Sequence, residues 1–124
     1  MAFTKSVAFD SPDLGSELSR LKTPDMDELI FGVVEMNIDG IVQRYNATES
    51  GFSGLSREQV IGRHFFREVA TCCDNRHVAK RFALPVLDET IAYTLALQMK
   101  PVPVILRMIK HPDNPLMYML VRLA

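Results

Sequence analysis

The chain has 124 residues, 48% of them hydrophobic and 23% charged, with a formal net charge of −1 at pH 7. That is enough for one domain with a real core, in the balance of a folded protein rather than a disordered one. Acidic and basic residues are mixed throughout, which argues against nucleic acid or a membrane surface as partner, and no apolar run reaches the length of a membrane span or a signal-peptide core.

Residues 1–28 read as an N-terminal cap segment, and residues 29–124 as the core. Ser11 followed by Pro12 predicts a helix start, with Leu14, Leu18 and Leu21 on one face, and Thr23-Pro24 repeats the signal for a second short turn. Two such short helices cannot stand alone, so they are expected to lie on a larger body and to detach from it at low cost. From Ile30 the pattern becomes strand: I-F-G-V-V-E-M-N and I-V-Q-R-Y-N flank Ile38-Asp39-Gly40, whose Asp-Gly pair signals a hairpin. Residues 46–82 are polar and interrupted by glycine, which predicts short helices and loops. Asn46 with Glu49 and Ser56 with Gln59 have capping-box spacing. A longer helix is expected around residues 75–85. The alternation of Ile91, Tyr93, Leu95, Leu97 and Met99 predicts a strand over 90–99, followed by V-P-V-I-L-R-M-I-K and L-M-Y-M-L-V-R-L, separated by the turn H-P-D-N-P. The order predicts an α+β domain: a five-stranded antiparallel sheet with the middle helices on one face and the N-terminal segment on the other.

Between Arg44 and Asp74 the sequence places a phenol (Tyr45), a carboxyl (Glu49) and a thiol (Cys72). Together they suit a site that holds one small anionic group away from water. Taken singly, each has a plainer reading: a half-buried strand tyrosine, a helix-capping carboxylate, an inert buried thiol. Two adjacent cysteines make no disulfide framework, so a reducing, cytoplasmic setting is expected. Cys73 and His77 are spaced to share a helix face, but no second ligand pair supports a metal and no third group completes a cysteine-dependent enzyme.

The order of these motifs resembles the photoactive yellow proteins, the xanthopsin branch of the PAS superfamily. The match runs through F-G-V-V at 31–34, D-G at 39–40, Y-N-A-x-E at 45–49, S-G at 53–54, Q-V-I-G-R-x-F-F-x-x-V-A-x-C at 59–72 and Y-T-x-x-x-Q-M-x-P at 93–101. V-A-F-D-S-P-D-L at 7–14 looks like the family's N-terminal start. The resemblance implies a PAS fold and a non-enzymatic blue-light photoreceptor. It implies para-coumaric acid (4-hydroxycinnamic acid) as the chromophore, held as a thioester on Cys72. Tyr45 and Glu49 would donate hydrogen bonds to its phenolate, Ser53 would support the tyrosine, and Phe65, Leu55 and Met99 would border the pocket. It implies proton transfer from Glu49 after trans–cis isomerisation, then partial unfolding of the N-terminal cap.

Leu55 stands where the best-known members carry an arginine, Thr71 where a proline precedes the cysteine, and Leu95 and Leu97 where aromatic residues are common. The stretch between Phe82 and Tyr93 looks several residues shorter, and Cys73 adds a second thiol. The chain contains no output-domain pattern, so an unidentified downstream signalling protein is the expected partner, with the chain itself a monomer or weak dimer. The competing expectation is a chromophore-free PAS module for ligand binding or dimerisation.

Overall fold

The structure is a computed structural model and describes residues 7–124. The first six residues of the expected cap segment lie outside the described residues. Five strands form one antiparallel sheet: β1 (Gly32–Asn37), β2 (Val42–Tyr45), β3 (Leu87–Leu97), β4 (Lys100–Lys110) and β5 (Leu116–Leu123), in the spatial order β2-β1-β5-β4-β3. The sheet and its two covering layers match the expected α+β PAS architecture. Asp39-Gly40 makes the β1–β2 turn, where the Gly40 amide donates to the Asn37 carbonyl and Gly40 takes a φ of +81°, a backbone region that glycine enters without steric cost.

Side chains alternate between the faces of the sheet. On one face Val34, Met36, Leu106, Met108, Met117, Met119 and Val121 pack against Val60, Phe65, Phe66, Val78 and Phe82 of the middle segment. That segment holds α3 (Ala47–Ser53), α4 (Arg57–Val60) and three tighter turns at Phe65–Val69, Thr71–Cys73 and Ala79–Ala83. On the other face Val33, Ile109, Tyr118 and Leu120 are covered by Leu14, Leu18 and Met26 of the N-terminal segment, which forms α1 (Leu14–Arg20) and α2 (Thr23–Asp27), and by Leu29 just after it. Burial of each large side chain contributes about 1.5–3 kcal/mol, so these few anchors set how firmly the cap is held.

Polar groups add to that hold. Arg44 of β2 meets the Glu35 carboxylate with two nitrogens, at 2.9 and 2.6 Å, and donates to the carbonyls of Leu18 and Leu21 at the end of α1. Tyr118 donates to the same Glu35 at 2.9 Å. Arg107 of β4 is paired with Asp88 through two nitrogens and donates to the carbonyls of Phe9 and Ser11. Two sheet arginines therefore grip the cap at both ends of its first turns.

Several local expectations are corrected. Ser11 does not cap a helix: its hydroxyl binds the Glu17 carboxylate, and α1 starts at Leu14 after Asp13. Thr23 lies inside α2, whose N-cap is Lys22. Ser56–Gln59 forms a complete capping box. Asn46–Glu49 forms only half of one, because Asn46 accepts from the Glu49 amide while the Glu49 side chain turns into the core. The expected helix over 75–85 is a turn followed by the short Ala79–Ala83 segment. The Asn75 side chain accepts from the amides of His77 and Val78, offering the backbone an alternative to the helical ladder. The strand expected over 90–99 runs instead from Leu87 to Leu97, because Gln98 and Met99, at φ +50° and +66°, form the two-residue β3–β4 turn.

Candidate functional site

A cavity of about 190 Å3 lies between the sheet and the middle segment, with Tyr45, Glu49 and Ser53 at one end and Cys72 in its wall. Phe65 and Leu55 line it, as does Leu95. Tyr45 arrives from the end of β2, where its partner across the ladder is Val34 of β1. Asn46 then starts α3, so Glu49 and Ser53 fall one and two turns along the helix, on the face towards Tyr45. Cys72 sits in the short turn that follows Phe65–Val69.

The Tyr45 hydroxyl bonds the Ser53 hydroxyl at 2.9 Å and stands 3.5 Å from one oxygen of Glu49. Ser53 is itself oriented by the Leu55 amide, which donates to its oxygen at 3.1 Å. Glu49 is 3% exposed, and its Oε1 is buried with no hydrogen-bond partner. Burial pushes the Glu49 carboxyl up to about 8, against the opposing effect of the Tyr45 hydroxyl, so the acid keeps its proton at neutral pH. Burial first, and then the neighbouring Glu49 charge, raises the Tyr45 phenol as well. The site therefore offers two protonated oxygen acids, close together and almost dry.

The two thiols differ. Cys72 is exposed and borders the cavity, whereas Cys73 is buried in the core, with the sulfurs 3.8 Å apart. Burial, followed by the neighbouring Cys72, raises the Cys73 thiol strongly and keeps it protonated.

The expectation that Met99 borders this cavity is corrected. It is 98% exposed in the β3–β4 turn, because the strand alternation that would have carried it inward stops at Leu97. Two positions were missed. Gly32 lies directly under Glu49: a Cβ there would stand 2.0 Å from Glu49 Oε1. Gly32→Ala is expected to displace the carboxyl and to cost about 1–3 kcal/mol by overpacking, measurable by urea denaturation. Asn46 is the second. Its side chain accepts from the amides of Val33 and Glu49 and donates to the carbonyls of Met26 and Phe31, joining the helix of the site to the N-terminal cap. Its capping spacing was visible in the sequence, but its three long-range bonds, to Val33, Met26 and Phe31, were not.

A larger trough of about 670 Å3 runs between α1 and the start of β3, bordered by Ser16, Asp88 and His111. The buried acid and the thiol belong to the smaller cavity.

A photoactive yellow protein from Halochromatium salexigens is 34% identical over 108 residues, which are 84% of this chain and 86% of that protein. The chain belongs to the photoactive yellow protein family. A second photoactive yellow protein, from Rhodothalassium salexigens, is 29% identical over 102 residues, covering 79% of this chain and 82% of its own length. Among solved structures, the photoactive yellow protein domain of the sensor histidine kinase Ppr from Rhodospirillum centenum is 33% identical, with a TM-score of 0.79 over 86% of this chain and 97% of that domain. The PAS domain of an HTR-like protein from Haloarcula marismortui shares the fold at 14% identity, with a TM-score of 0.66 over 90% of this chain and all of that one. No family model matches the chain. Membership in the photoactive yellow protein family makes this a sensory PAS domain. Among the described residues no helix is long and apolar enough to cross a membrane.

Proposed function

We propose that the protein is a cytoplasmic blue-light photoreceptor that carries para-coumaric acid as a thioester on Cys72 and signals by releasing its N-terminal cap. The observation that carries this reading is the buried Glu49 with an unpartnered oxygen, set beside the Tyr45 hydroxyl in a cavity that the Cys72 thiol borders. The cavity is smaller than the roughly 300–1,000 Å3 typical of drug-sized ligands, which suits a single aromatic ring with a short chain.

The residues fit such a group. Tyr45 has a hydroxyl proton to donate, and Glu49 can donate only because its site keeps it protonated. A phenolate taken out of water needs charge-assisted donors of this kind to offset its lost hydration. Phe65 and Leu55 supply apolar walls. When bound, the chromophore supplies light absorption and trans–cis isomerisation. Glu49 is the residue that gives up its proton afterwards. The carboxylate left behind lies in a dry pocket at a cost of several kcal/mol, and admitting water relieves it. Asn46 bonds both the Glu49 amide and the Met26 carbonyl, so movement of α3 loosens α2. The apolar surface uncovered beneath the cap is the signal for a separate downstream protein.

The test is uptake of an activated coumaric thioester by the full chain made without chromophore. A yellow band that bleaches in blue light and recovers in the dark is expected, and it should vanish in Cys72→Ser but persist in Cys73→Ser. An intact fold with no covalent uptake would instead mark a chromophore-free PAS module and end this reading.

A further inference from the structure

Two adjacent thiols pose a selection problem for any electrophile that enters the cavity, and the surrounding hydrogen bonds address it. The Cys72 carbonyl accepts two of them, from the Tyr93 hydroxyl at 2.9 Å and from the Asn75 side-chain amide at 3.0 Å. The same Asn75 amide donates to the Tyr93 oxygen at 2.8 Å, which closes a three-membered ring of contacts. The other end of the Asn75 side chain is held by the amides of His77 and Val78, and its own amide donates to the Cys73 carbonyl. Tyr93 stands on β3, the edge strand of the sheet, where it is laddered to Val104 of β4.

We infer that Asn75 and Tyr93 form a positioning clamp that decides which of the two thiols faces the cavity. The Cys72 carbonyl belongs to the peptide unit that joins Cys72 to Cys73. That unit is planar, so its orientation sets the torsions on either side and the direction of both side chains. Two donors on one oxygen fix the plane relative to the sheet. In that orientation the Cys72 sulfur borders the cavity and the Cys73 sulfur stays in the core. Rotation of the plane would exchange their surroundings over the 3.8 Å that separates them. The residue before the two cysteines is Thr71, which leaves the loop without a proline ring to stiffen it, so the clamp does by hydrogen bonding what ring closure could otherwise do.

The inference rests on the proposed photoreceptor reading only for the identity of the electrophile, and its test does not need the chromophore. The full chain, made without chromophore, is labelled briefly with N-ethylmaleimide and the adducts are mapped by peptide mass spectrometry. In the wild type the label is expected on Cys72, with little on Cys73. Tyr93→Phe, which removes one hydrogen bond and keeps the ring, should raise the share on Cys73 roughly fivefold, and Asn75→Ala should raise it further. Thr71→Pro added to Tyr93→Phe should bring the ratio back towards the wild type, because the residue before it, Ala70, has already left the helical region at φ −110° and ψ 67°. Leu14→Ala weakens the cap on the opposite face and should leave the ratio unchanged. An unchanged ratio in a folded Tyr93→Phe protein would overturn the clamp. So would an equal rise in Leu14→Ala, since that would make the effect general unfolding. Uptake of a coumaric thioester is scored separately: its failure in the wild type would remove the photoreceptor reading and leave the maleimide result standing.

Discussion

Arg44→Met is expected to lower the unfolding free energy by about 3 kcal/mol, near the lower end of the cost of leaving a buried charge without its partner, because Glu35 is buried while Arg44 is partly exposed. Glu35 is 3% exposed and Tyr118 is fully enclosed, so neither can turn to water when the guanidinium is lost. The hydrogen bond to Glu35 raises the already high Arg44 pKa further, and burial, then Glu35, raises the Tyr118 phenol, so charge and proton are locked in place. The same substitution removes the side-chain donor from the Leu18 and Leu21 carbonyls. The cap should therefore be cut by proteases under conditions in which the sheet survives. Urea denaturation measures the first effect and limited proteolysis between residues 7 and 28 the second. Replacing the whole group (Arg44→Met, Glu35→Met and Tyr118→Phe) should recover most of the loss, because no uncompensated charge remains. A loss under about 1 kcal/mol in the single variant, the range of an exposed pair, with an unchanged digestion pattern, would show that the pair is solvated.

The second large effect concerns pH and has the opposite sign to that of most carboxylates. Glu49 titrates at about 8 in the fold, against an ordinary value of 4.5. Below pH 4.5 the acid is protonated in both the folded and the unfolded chain and costs nothing. As pH rises from there, the unfolded chain releases its proton while the folded chain keeps it, so stability falls. The loss is complete above pH 8 and amounts to about 5 kcal/mol. A paired carboxylate, whose pKa the fold lowers, instead adds stability as pH rises from about 1 to about 5 and is flat above that. Glu49→Gln should remove the slope, so the variant should be clearly more stable than the wild type at pH 8 and close to it at pH 4.5. Urea midpoints across that range, in the full chain without chromophore, provide the measurement. A wild-type curve parallel to that of Glu49→Gln would mean that the carboxyl is already hydrated.

The sheet and the centre of the site were legible in the sequence because their signals are local. Alternation from Ile91 to Leu97 and the Asp39-Gly40 turn need no knowledge of the rest of the chain. Tyr45 and Glu49 are four residues apart, a distance that one helical turn closes. What escaped depends on partners far away. Leu87 and Asp88 look like loop until Arg107, on the neighbouring strand, takes the Asp88 carboxylate. Arg44 reads as a strand-surface cation, whereas its acceptors lie at Leu18, Leu21 and Glu35. Met99 carries a strand-like apolar side chain, but Leu97 and Lys100 are ladder partners, which leaves the two residues between them only a turn to make. Asn75 has the composition of a helix start and acts as a knot in the loop.

The handles by which the sheet holds the cap are main-chain oxygens: those of Phe9 and Ser11 for Arg107, and those of Leu18 and Leu21 for Arg44. Every amino acid carries that oxygen, so the attachment does not read the identity of the outward residues between those points. Ser16, Ser19 and Arg20 are exposed and take no part in the grip. Substitution at these positions can change the chemistry of the cap's outer surface while the latch keeps its strength. In this architecture the surface that the cap shows to solvent and the strength of its attachment are free to change separately.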